Sequence, residues 1–368
     1  DRSAFPAGTS FDHRDRLDAI QRELREIPGV TVLIYEQTCA TEKRRRRKRG
    51  LMEDPAKNVV INDRVCEGCG DCSVASNCLS VEPLETPFGR KRQINQNSCN
   101  KDFSCIGGFC PSFVTIEGAT RKKPKAADLD VAALLNGVAL PDLPALDEPF
   151  DLLVGGVGGT GVVTVGALIT MAAHLEGKGA SVLDFTGFAQ KFGTVLGYVR
   201  LAQSPDQINQ LRIENGAADA MIGCDIVVAS APKASALYRR GTQVVLNLAE
   251  MPTGDLVLNR DADLRVDARV NAIGRAVGTE NLMALDANKI AQRLLGDSVF
   301  ANVLLLGYAW QAGLVPVGLD ALHEAIRLNG TAIEANQRAF DLGRVLAAAP
   351  DRLPLPEPPA PIETTAAL

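Results

Sequence analysis

The stretch "DLLVGGVGGTGVVTVGALITMAAHLEGKGASVLDF", residues 151–185, decides the fold of the larger part of this chain. It starts as an apolar run that enters a glycine-rich turn, continues as a helical pattern over 162–179, and ends in a second apolar run. Strand, helix and strand in this order form the unit of a parallel sheet. Three later apolar runs alternate with helical patterns: 198–202, 217–229 and 242–248. The sequence therefore predicts an α/β fold with a doubly wound, mostly parallel sheet over residues 150–345.

The glycine turn matches the spacing of a dinucleotide-binding fingerprint. Gly156, Gly158 and Gly161 follow G-x-G-x-x-G after an apolar strand, and Asp184 ends the next strand about twenty residues later. In such sites the turn brings the backbone close to a pyrophosphate at the helix N-terminus, and the carboxylate binds the ribose. The alternative is a turn that serves close packing of strand and helix, or contact with another domain. The residues alone leave an NAD or FAD site and a packing role equally open.

Residues 55–118 predict a small cluster-binding domain, because they have little helical pattern and are rich in cysteine and glycine. Cys66, Cys69 and Cys72 follow a C-x2-C-x2-C spacing, which curls one loop around a metal centre. In bacterial-type ferredoxins the completing cysteine lies far along the chain before a proline, and Cys110 is the one cysteine here that precedes proline. These four cysteines are predicted to hold one [4Fe-4S] cluster. A structural zinc site is the alternative, although such sites usually use two separated pairs.

Three further cysteines, Cys78, Cys99 and Cys105, stand where a two-cluster ferredoxin builds its second cluster. The second C-x2-C-x2-C motif is broken in "CNKDFSCIGGFC", residues 99–110, so the domain lacks one of the cysteines that two four-iron clusters need. The domain holds either one cluster or two, and both alternatives are open. A second cluster would take its last ligand from Cys39, from a non-cysteine side chain or from a neighbouring segment. Cys224, in the apolar "AMIGCDIVV", is predicted to be a buried core thiol.

The segments around these domains are predicted to be a partial domain, a linker and a tail. A helical pattern near the start and the apolar run "VTVLIYE", residues 30–36, predict a helix and a buried strand. Residues 1–50 are therefore predicted to end an α/β domain whose earlier part is missing. Residues 119–149 are predicted to be a linker that includes one short helix, and residues 346–368 a disordered tail.

The composition is that of a soluble globular protein with two or three domains. Of its 368 residues, 46% are hydrophobic and 23% charged, which excludes a disordered or fibrous chain. The net charge of -5 argues against general nucleic-acid binding, and no apolar run reaches membrane-spanning length. The start does not have the form of a secretory signal, and closely spaced cysteines indicate metal binding in a reducing compartment. These features predict a cytoplasmic protein.

The order of the features resembles one known group of enzymes. "GVTVLIYEQTCATEKRRRRKRG", then "CEGCGDC" and "CNKDFSCIGGFCPSF", then the glycine-rich stretch, resemble the fused indolepyruvate ferredoxin oxidoreductases of the 2-oxoacid:ferredoxin oxidoreductase superfamily. The resemblance extends over almost the whole chain. It implies that residues 1–50 end a thiamine-diphosphate domain, that 55–118 form a ferredoxin-type domain, and that 150–345 form the gamma domain.

The resemblance implies oxidative decarboxylation of an aryl 2-oxoacid such as indolepyruvate, with coenzyme A as co-substrate and ferredoxin as electron acceptor. Thiamine diphosphate performs the carbon chemistry in that family. This chain lacks the Gly-Asp-Gly pattern that holds the diphosphate and Mg²⁺, so both are expected in the remaining thiamine domains of the same enzyme. A homo-oligomer is expected. Two rivals differ in class: an iron-sulfur module that uses NAD(P)H or FAD at the glycine turn, and a zinc-stabilised interaction protein.

Overall fold

The structure is a computed structural model that describes residues 2–119, 126–186, 193–251, 259 and 263–355. The chain divides into two compact units, Asp1–Pro55 and Ala56–Leu368. Across the described residues, no helix is both long and apolar enough to cross a lipid bilayer.

The first unit contains two longer helices, α1 (Leu17–Arg25) and α2 (Ala40–Lys48). Helix α1 confirms the helix predicted near the start of the chain. The predicted buried strand at 30–36 is wrong for this structure, because these residues form no strand and Val30 and Val32 are 96% and 77% exposed. A buried strand needs a hydrogen-bonded neighbour, and the described residues of this unit include no strand that could pair with it.

The cysteine-rich domain, residues 56–118, opens the second unit with four short strands and one short helix. These are β1 (Lys57–Ile61), α3 (Asp71–Ser76), β2 (Val81–Thr86), β3 (Gly89–Ile94) and β4 (Phe113–Glu117). Strand β1 pairs antiparallel with β4, and β2 pairs antiparallel with β3. Each two-stranded sheet therefore joins the strand that enters one cysteine loop to the strand that leaves the other.

This domain has a very small apolar core. Within residues 56–118, all of which the structure describes, the buried hydrophobic side chains are Val59, Cys66 and Val81. Small domains that bury so little apolar surface need disulfides or metals to be stable. None of its cysteines is in a disulfide.

The predicted linker lies against the sheet domain that follows it. It contains helix α4 (Val131–Leu135), which confirms the one short helix expected there. Leu146 is buried in the core of the sheet domain, and Leu134 packs against that core. The guanidinium of Arg352 donates hydrogen bonds to the carbonyl oxygens of Leu134 and Asn136. Residues 120–125 of this segment lie outside the described residues.

The sheet domain, residues 150–355, alternates strands and helices as predicted. In chain order it contains β5 (Phe150–Val157), α5 (Val162–Leu175), β6 (Gly179–Thr186), β7 (Thr194–Ala202), β8 (Ala220–Gly223), α6 (Ile226–Ala229), α7 (Pro232–Ser235), β9 (Gln243–Asn247), α8 (Val266–Val277), β10 (Leu282–Leu285), α9 (Ala287–Leu295), α10 (Ala301–Gln311), α11 (Leu319–Asn329) and α12 (Ile333–Ala348). Helix α12 continues past residue 345, and a 3-10 turn covers Pro350–Arg352, so the predicted tail begins later than residue 346. Residues 356–368 lie outside the described residues.

The six strands form one mostly parallel sheet in the order β10-β9-β8-β5-β7-β6, which confirms the predicted fold class. The pairs β10-β9, β9-β8 and β8-β5 are parallel, whereas β7 runs antiparallel to both of its neighbours. Strand β7 thus separates β6 from β5. A large apolar core covers one face of the sheet and a second core covers the other, as in a doubly wound fold.

Helices α10 and α12 cross at a backbone-to-backbone contact in the larger core. A Cβ at Gly307 would lie 1.9 Å from the carbonyl oxygen of Phe340, and a Cβ at Gly343 would lie 2.0 Å from that of Leu304. Only glycine permits such an approach. The close crossing encloses Trp310, which is 2% exposed and whose indole N–H donates to Val317 O at 2.7 Å.

Candidate metal centre

The first cysteine loop begins directly after β1 and curls around its own sulfur atom. The Cys66 N–H donates to Asn62 O at 2.9 Å, and the Gly68 N–H donates to the Cys66 Sγ at 3.4 Å. Gly68 and Gly70 have φ of +74° and +78°. These left-handed conformations favour glycine, and a Cβ at Gly68 would also stand 2.3 Å from Arg90 O.

The four cysteines predicted to hold the first cluster line one cavity of about 280 Å³. Cys66, Cys69 and Cys72 come from the first loop, and Cys110 reaches the same cavity from the end of the second loop. Cys105 also lines this cavity. The fold thus brings together thiols from two loops, of which the first and last, Cys66 and Cys110, are more than forty residues apart in sequence.

The electrostatics of the cavity suit a cationic centre. Burial raises the pKa of the Cys72 thiol, the nearby Cys66 and Cys69 add to the rise, and a hydrogen bond from the backbone and the Arg92 guanidinium oppose it. Ionising several thiols in this cavity is therefore unfavourable when no metal is bound. A bound metal ion stabilises the thiolate form and lowers the pKa of the thiols that bind it.

The donor set around the cavity is that of a cluster motif. In the part of the chain that the structure describes, no three His, Cys, Asp or Glu side chains stand close enough together to hold one metal ion. A [4Fe-4S] cluster is bound by four cysteine thiolates, each on a different iron atom. The four predicted thiols that line one cavity are a donor set of this kind.

A second group of cysteines lies around the other loop. Burial raises the pKa of Cys105 to about 11, and the nearby Cys78, Cys99 and Asp102 add to the rise. Burial likewise raises the pKa of Cys99, with Cys78 and Asp102 again contributing. Cys78, Cys99 and Cys105 are thus near enough to one another to interact electrostatically. Cys39 lies in the first unit, and it is exposed.

Two charged residues at these sites were missed from the sequence. Arg92, on β3, is 2% exposed and lines the first cavity. No sequence signal marks it, because buried and exposed arginines look alike in a short strand. Asp102 lies between Cys99 and Cys105 with C-x2-D-x2-C spacing. That spacing is a signal that sequence reasoning could have used.

The glycine turn is occupied by contacts within the protein. Gly156 lies inside β5, where a Cβ would stand 2.7 Å from a methyl of Val162. The Gly158 N–H donates to Gly193 O at 2.7 Å, and Gly161 is the N-cap of α5 with φ of +99°. The turn thus brings strand and helix together, and the Gly158 amide already has an acceptor.

Asp184 does not stand beside the glycine turn. It lies on β6, which the antiparallel β7 separates from β5. Its residue partner across the strand pair is Gly197, where a Cβ would stand 2.7 Å from the Asp184 carboxylate oxygen Oδ1. In a dinucleotide site the acidic residue ends the strand beside the first one. Cys224 is buried, as predicted, and burial raises its thiol pKa to about 12.

The sheet domain and the cysteine-rich domain border a polar cleft of about 660 Å³. Asn95 and Glu82 line it from the cysteine-rich domain. Glu250, Asp286 and Lys289 line it beyond the carboxyl ends of β9 and β10. The second cysteine loop, which starts at Asn95, therefore begins at the side of its domain that faces the sheet.

Residues 151–346 match the family model of pyruvate ferredoxin/flavodoxin oxidoreductase, which is more than half of the chain. The chain belongs to this family. The resemblance drawn from the sequence is thereby confirmed, and the chain is part of an oxidoreductase of the 2-oxoacid:ferredoxin type. The match covers the sheet domain, so residues 1–150, with all the cysteines predicted as ligands, lie outside it.

Among relatives of this oxidoreductase chain are two archaeal proteins called indolepyruvate oxidoreductase subunit IorB. The protein from Pyrococcus horikoshii is 29% identical over 201 residues, which are 53% of this chain and 95% of the relative. The protein from Thermococcus kodakarensis is 28% identical over 198 residues, again 53% of this chain and 95% of the relative.

Two solved structures also resemble this family member. One is the gamma subunit of keto/oxoacid ferredoxin oxidoreductase from Geobacter sulfurreducens, with 20% identity, a TM-score of 0.38 and coverage of 54% of this chain and 98% of the other. The second is 2-oxoglutarate:ferredoxin oxidoreductase from Magnetococcus marinus, with 19% identity, a TM-score of 0.39 and coverage of 58% and 32%.

Proposed function

We propose that this chain is the electron-transferring part of a thiamine-diphosphate-dependent 2-oxoacid:ferredoxin oxidoreductase, and that Cys66, Cys69, Cys72 and Cys110 hold a [4Fe-4S] cluster in it. The observation that carries the proposal is the convergence of these four cysteines on one cavity, in a chain whose other half belongs to an oxidoreductase family. Neither the cysteine cavity nor the family match alone would support this function, because a fold by itself does not imply a function.

The reaction is the oxidative decarboxylation of an aryl 2-oxoacid such as indolepyruvate with coenzyme A. The carboxylate of the 2-oxoacid leaves as CO2, its acyl group forms a thioester with coenzyme A, the thiol proton is released, and the two electrons released pass one at a time to ferredoxin. The names of the curated relatives support indolepyruvate as the substrate. Thiamine diphosphate and Mg²⁺ bind in other domains of the same cytoplasmic enzyme, which we expect to be a homo-oligomer.

When bound, the cluster supplies a one-electron carrier of low potential. The residues of this chain hold it and set its charge environment. The Cys66 Sγ accepts a hydrogen bond from the Gly68 amide, and such bonds stabilise the extra negative charge of a reduced cluster. Arg92 places a buried positive charge at the same cavity. Both features raise the potential above that of a bare four-thiolate cluster.

The first unit supports the presence of further domains in the enzyme. Val30, Val32 and Ile34 belong to an apolar run, and their side chains are 96%, 77% and 67% exposed. Large apolar side chains that are exposed in a row mark a surface that another domain covers. We infer that the domain covering this surface is the thiamine-diphosphate domain that the resemblance implies.

The geometry of the glycine turn speaks against the nicotinamide or flavin alternative. The Gly158 amide is already bonded, and Asp184 stands two strands away from the turn. A dinucleotide site needs free amides at the turn and an acid on the adjacent strand.

The test is the iron, acid-labile sulfide and zinc content of the anaerobically purified chain, compared with its Cys110→Ser variant. We expect the variant to lose about four irons, because the cavity loses the one ligand that arrives from the second loop. Cys224→Ala is the matched control, since Cys224 is buried in the core of the sheet domain, and its iron content should equal that of the wild type. Zinc in place of iron, or unchanged iron in Cys110→Ser, would contradict the proposal.

A further inference from the structure

The second cysteine loop is entered in the same way as the first. Asn62 follows β1 directly, and Asn95 follows β3 directly. The Asn62 N–H donates to Ser112 O at 2.7 Å, and the Asn95 N–H donates to Ser80 O at 2.8 Å. The two serines occupy equivalent places, each two residues after the last cysteine of its own loop.

The first cysteine of each loop makes the same two backbone hydrogen bonds. Cys66 and Cys99 both donate their N–H to the asparagine four residues earlier, at 2.9 and 3.0 Å. Each sulfur then accepts from the N–H two residues later, that of Gly68 in the first loop and of Lys101 in the second, both at 3.4 Å. Equal spacing and equal distances show that the two backbones follow one path.

The backbone conformations of the two loops also coincide. In the first loop Gly68 and Gly70 have φ of +74° and +78°, and in the second Lys101 and Phe103 have φ of +51° and +61°. These are the positions two and four residues after the first cysteine of each loop. Non-glycine residues adopt such conformations at a cost, so the second loop is held there by its surroundings.

The loops end alike as well. A helical turn begins five residues after the first cysteine in both, as α3 in the first loop and as a 3-10 turn in the second. The last cysteine of each loop accepts a hydrogen bond at its carbonyl from the first residue of the next strand, Val81 N–H to Cys78 at 3.1 Å and Phe113 N–H to Cys110 at 3.2 Å. The cysteine-rich domain is therefore two copies of one unit, related by an approximate two-fold axis.

This equivalence pairs each position of the second loop with one in the first. Cys99 corresponds to Cys66, and Cys105 to Cys72. The position of Cys69, between them, is filled by Asp102. In two-cluster ferredoxins the last cysteine of each half binds the cluster of the other half. The cavity of the first loop follows this rule with Cys110.

From this equivalence we infer that the second loop forms a second [4Fe-4S] site whose four ligands are Cys78, Cys99, Cys105 and the carboxylate of Asp102. The inference rests on the proposed function for the first cluster. Carboxylates are established ligands of iron, so an aspartate at this position completes the set of four. It explains why the domain has seven cysteines and still contains two complete copies of the loop.

The contacts of Asp102 agree with a ligand role. Its Oδ1 accepts from the Ser104 N–H at 3.2 Å and from the Ser104 hydroxyl at 2.9 Å, which restrains the carboxylate within the loop. It lies within electrostatic reach of Cys99 and Cys105, as does Cys78. The iron atom bound to Asp102 differs from the other three in having an oxygen ligand, so it is the atom that the cluster loses first.

The test is the iron content and EPR spectrum of the full chain, reconstituted anaerobically, in wild type and three variants. We expect about eight irons in wild type, about seven in Asp102→Ala with the signal of an oxidised three-iron cluster, and about eight in Asp102→Cys without that signal. Asp63→Ala is the matched control, because Asp63 is an exposed carboxylate near the first loop at a position that is not equivalent to a ligand. It should behave as wild type.

The outcomes separate this inference from the proposed function. If Asp102→Ala retains about eight irons and an unchanged spectrum, or if wild type holds only about four irons that Cys110→Ser removes, the inference is overturned while the first cluster stands. If wild type holds no iron, both fail. If Asp102→Ala binds the second cluster too weakly to retain any of it, recovery of about eight irons in Asp102→Cys supports the ligand role, and no recovery overturns it.

Discussion

Replacing Arg92 with methionine should lower the midpoint potential of the first cluster. Arg92 lies on β3, is 2% exposed and lines the cavity that holds Cys66, Cys72 and Cys110. Reduction adds one negative charge to the cluster, and a buried guanidinium stabilises that charge. Methionine keeps most of the side-chain length and removes the positive charge.

The cavity sets the size of the effect. A sphere of about 280 Å³ is about 8 Å across, which gives the scale of the distance between Arg92 and the cluster. Two unit charges at ~8 Å interact by about 2 kcal/mol at an effective dielectric constant of ~20. For a one-electron couple this corresponds to about 90 mV. Because Arg92 is buried, added salt should change the shift little.

The assay is an anaerobic redox titration followed by EPR, made in a background in which Cys78, Cys99 and Cys105 are all replaced by serine, so that the first cluster alone is observed. Arg92→Lys, which keeps the charge, should stay close to the potential of the parent. Lys91→Met is the matched control, because Lys91 is the next residue on the same strand and its side chain leaves from the opposite face. An unchanged or higher potential in Arg92→Met would refute the reasoning.

Two further predictions concern the sheet domain. Gly307→Ala should lower the free energy of unfolding by about 3 kcal/mol, since its Cβ would stand 1.9 Å from the carbonyl oxygen of Phe340 and neither helix backbone can move aside freely. Urea unfolding followed by the fluorescence of Trp310, the one tryptophan of the chain, measures it. Gly274→Ala, whose Cβ would have a side-chain methyl of Thr279 at 3.3 Å as its nearest neighbour, is the control expected to be nearly neutral. Asp225→Asn should raise stability at pH 7 by about 2 kcal/mol, because burial raises the pKa of this carboxyl to about 6 and ionisation therefore costs the folded state more than the unfolded state. The wild type should lose this stability as the pH rises from about 4 to about 6 while the variant does not, and urea unfolding across that range would contradict the reasoning if the two curves ran parallel.

The sequence predicted those features that depend on local spacing. The strand, turn and helix of residues 151–185 form as expected, because hydrophobic period and glycine placement act within one element. Cys66, Cys69 and Cys72 line one cavity, because two-residue spacers keep all three in one loop. Cys110, from the other loop, was identified by the proline that follows it rather than by local spacing.

The features that the sequence analysis missed depend on partners distant along the chain. The apolar run at 30–36 has the pattern of a buried strand, but its described unit contains no neighbour to pair with it. Asp184 ends a strand at the spacing of a ribose-binding acid, but β7 inserts between that strand and the glycine turn. The order of strands in a sheet depends on how distant segments pair, so the spacing of residues along the sequence does not reveal it.

The cysteine-rich domain shows the division between sequence and tertiary structure most clearly. Its sequence by itself determined which thiols are available and that one ligand of a second cluster is absent from the cysteine count. The C-x2-D-x2-C spacing already sets Asp102 against Cys69. Only the tertiary structure decided that the two loops follow the same path and that Arg92 is buried at the first cavity. The physical reason is that equivalent hydrogen bonds and left-handed conformations belong to the backbone, whose path different side chains can share, and that the burial of one side chain depends on neighbours distant along the chain.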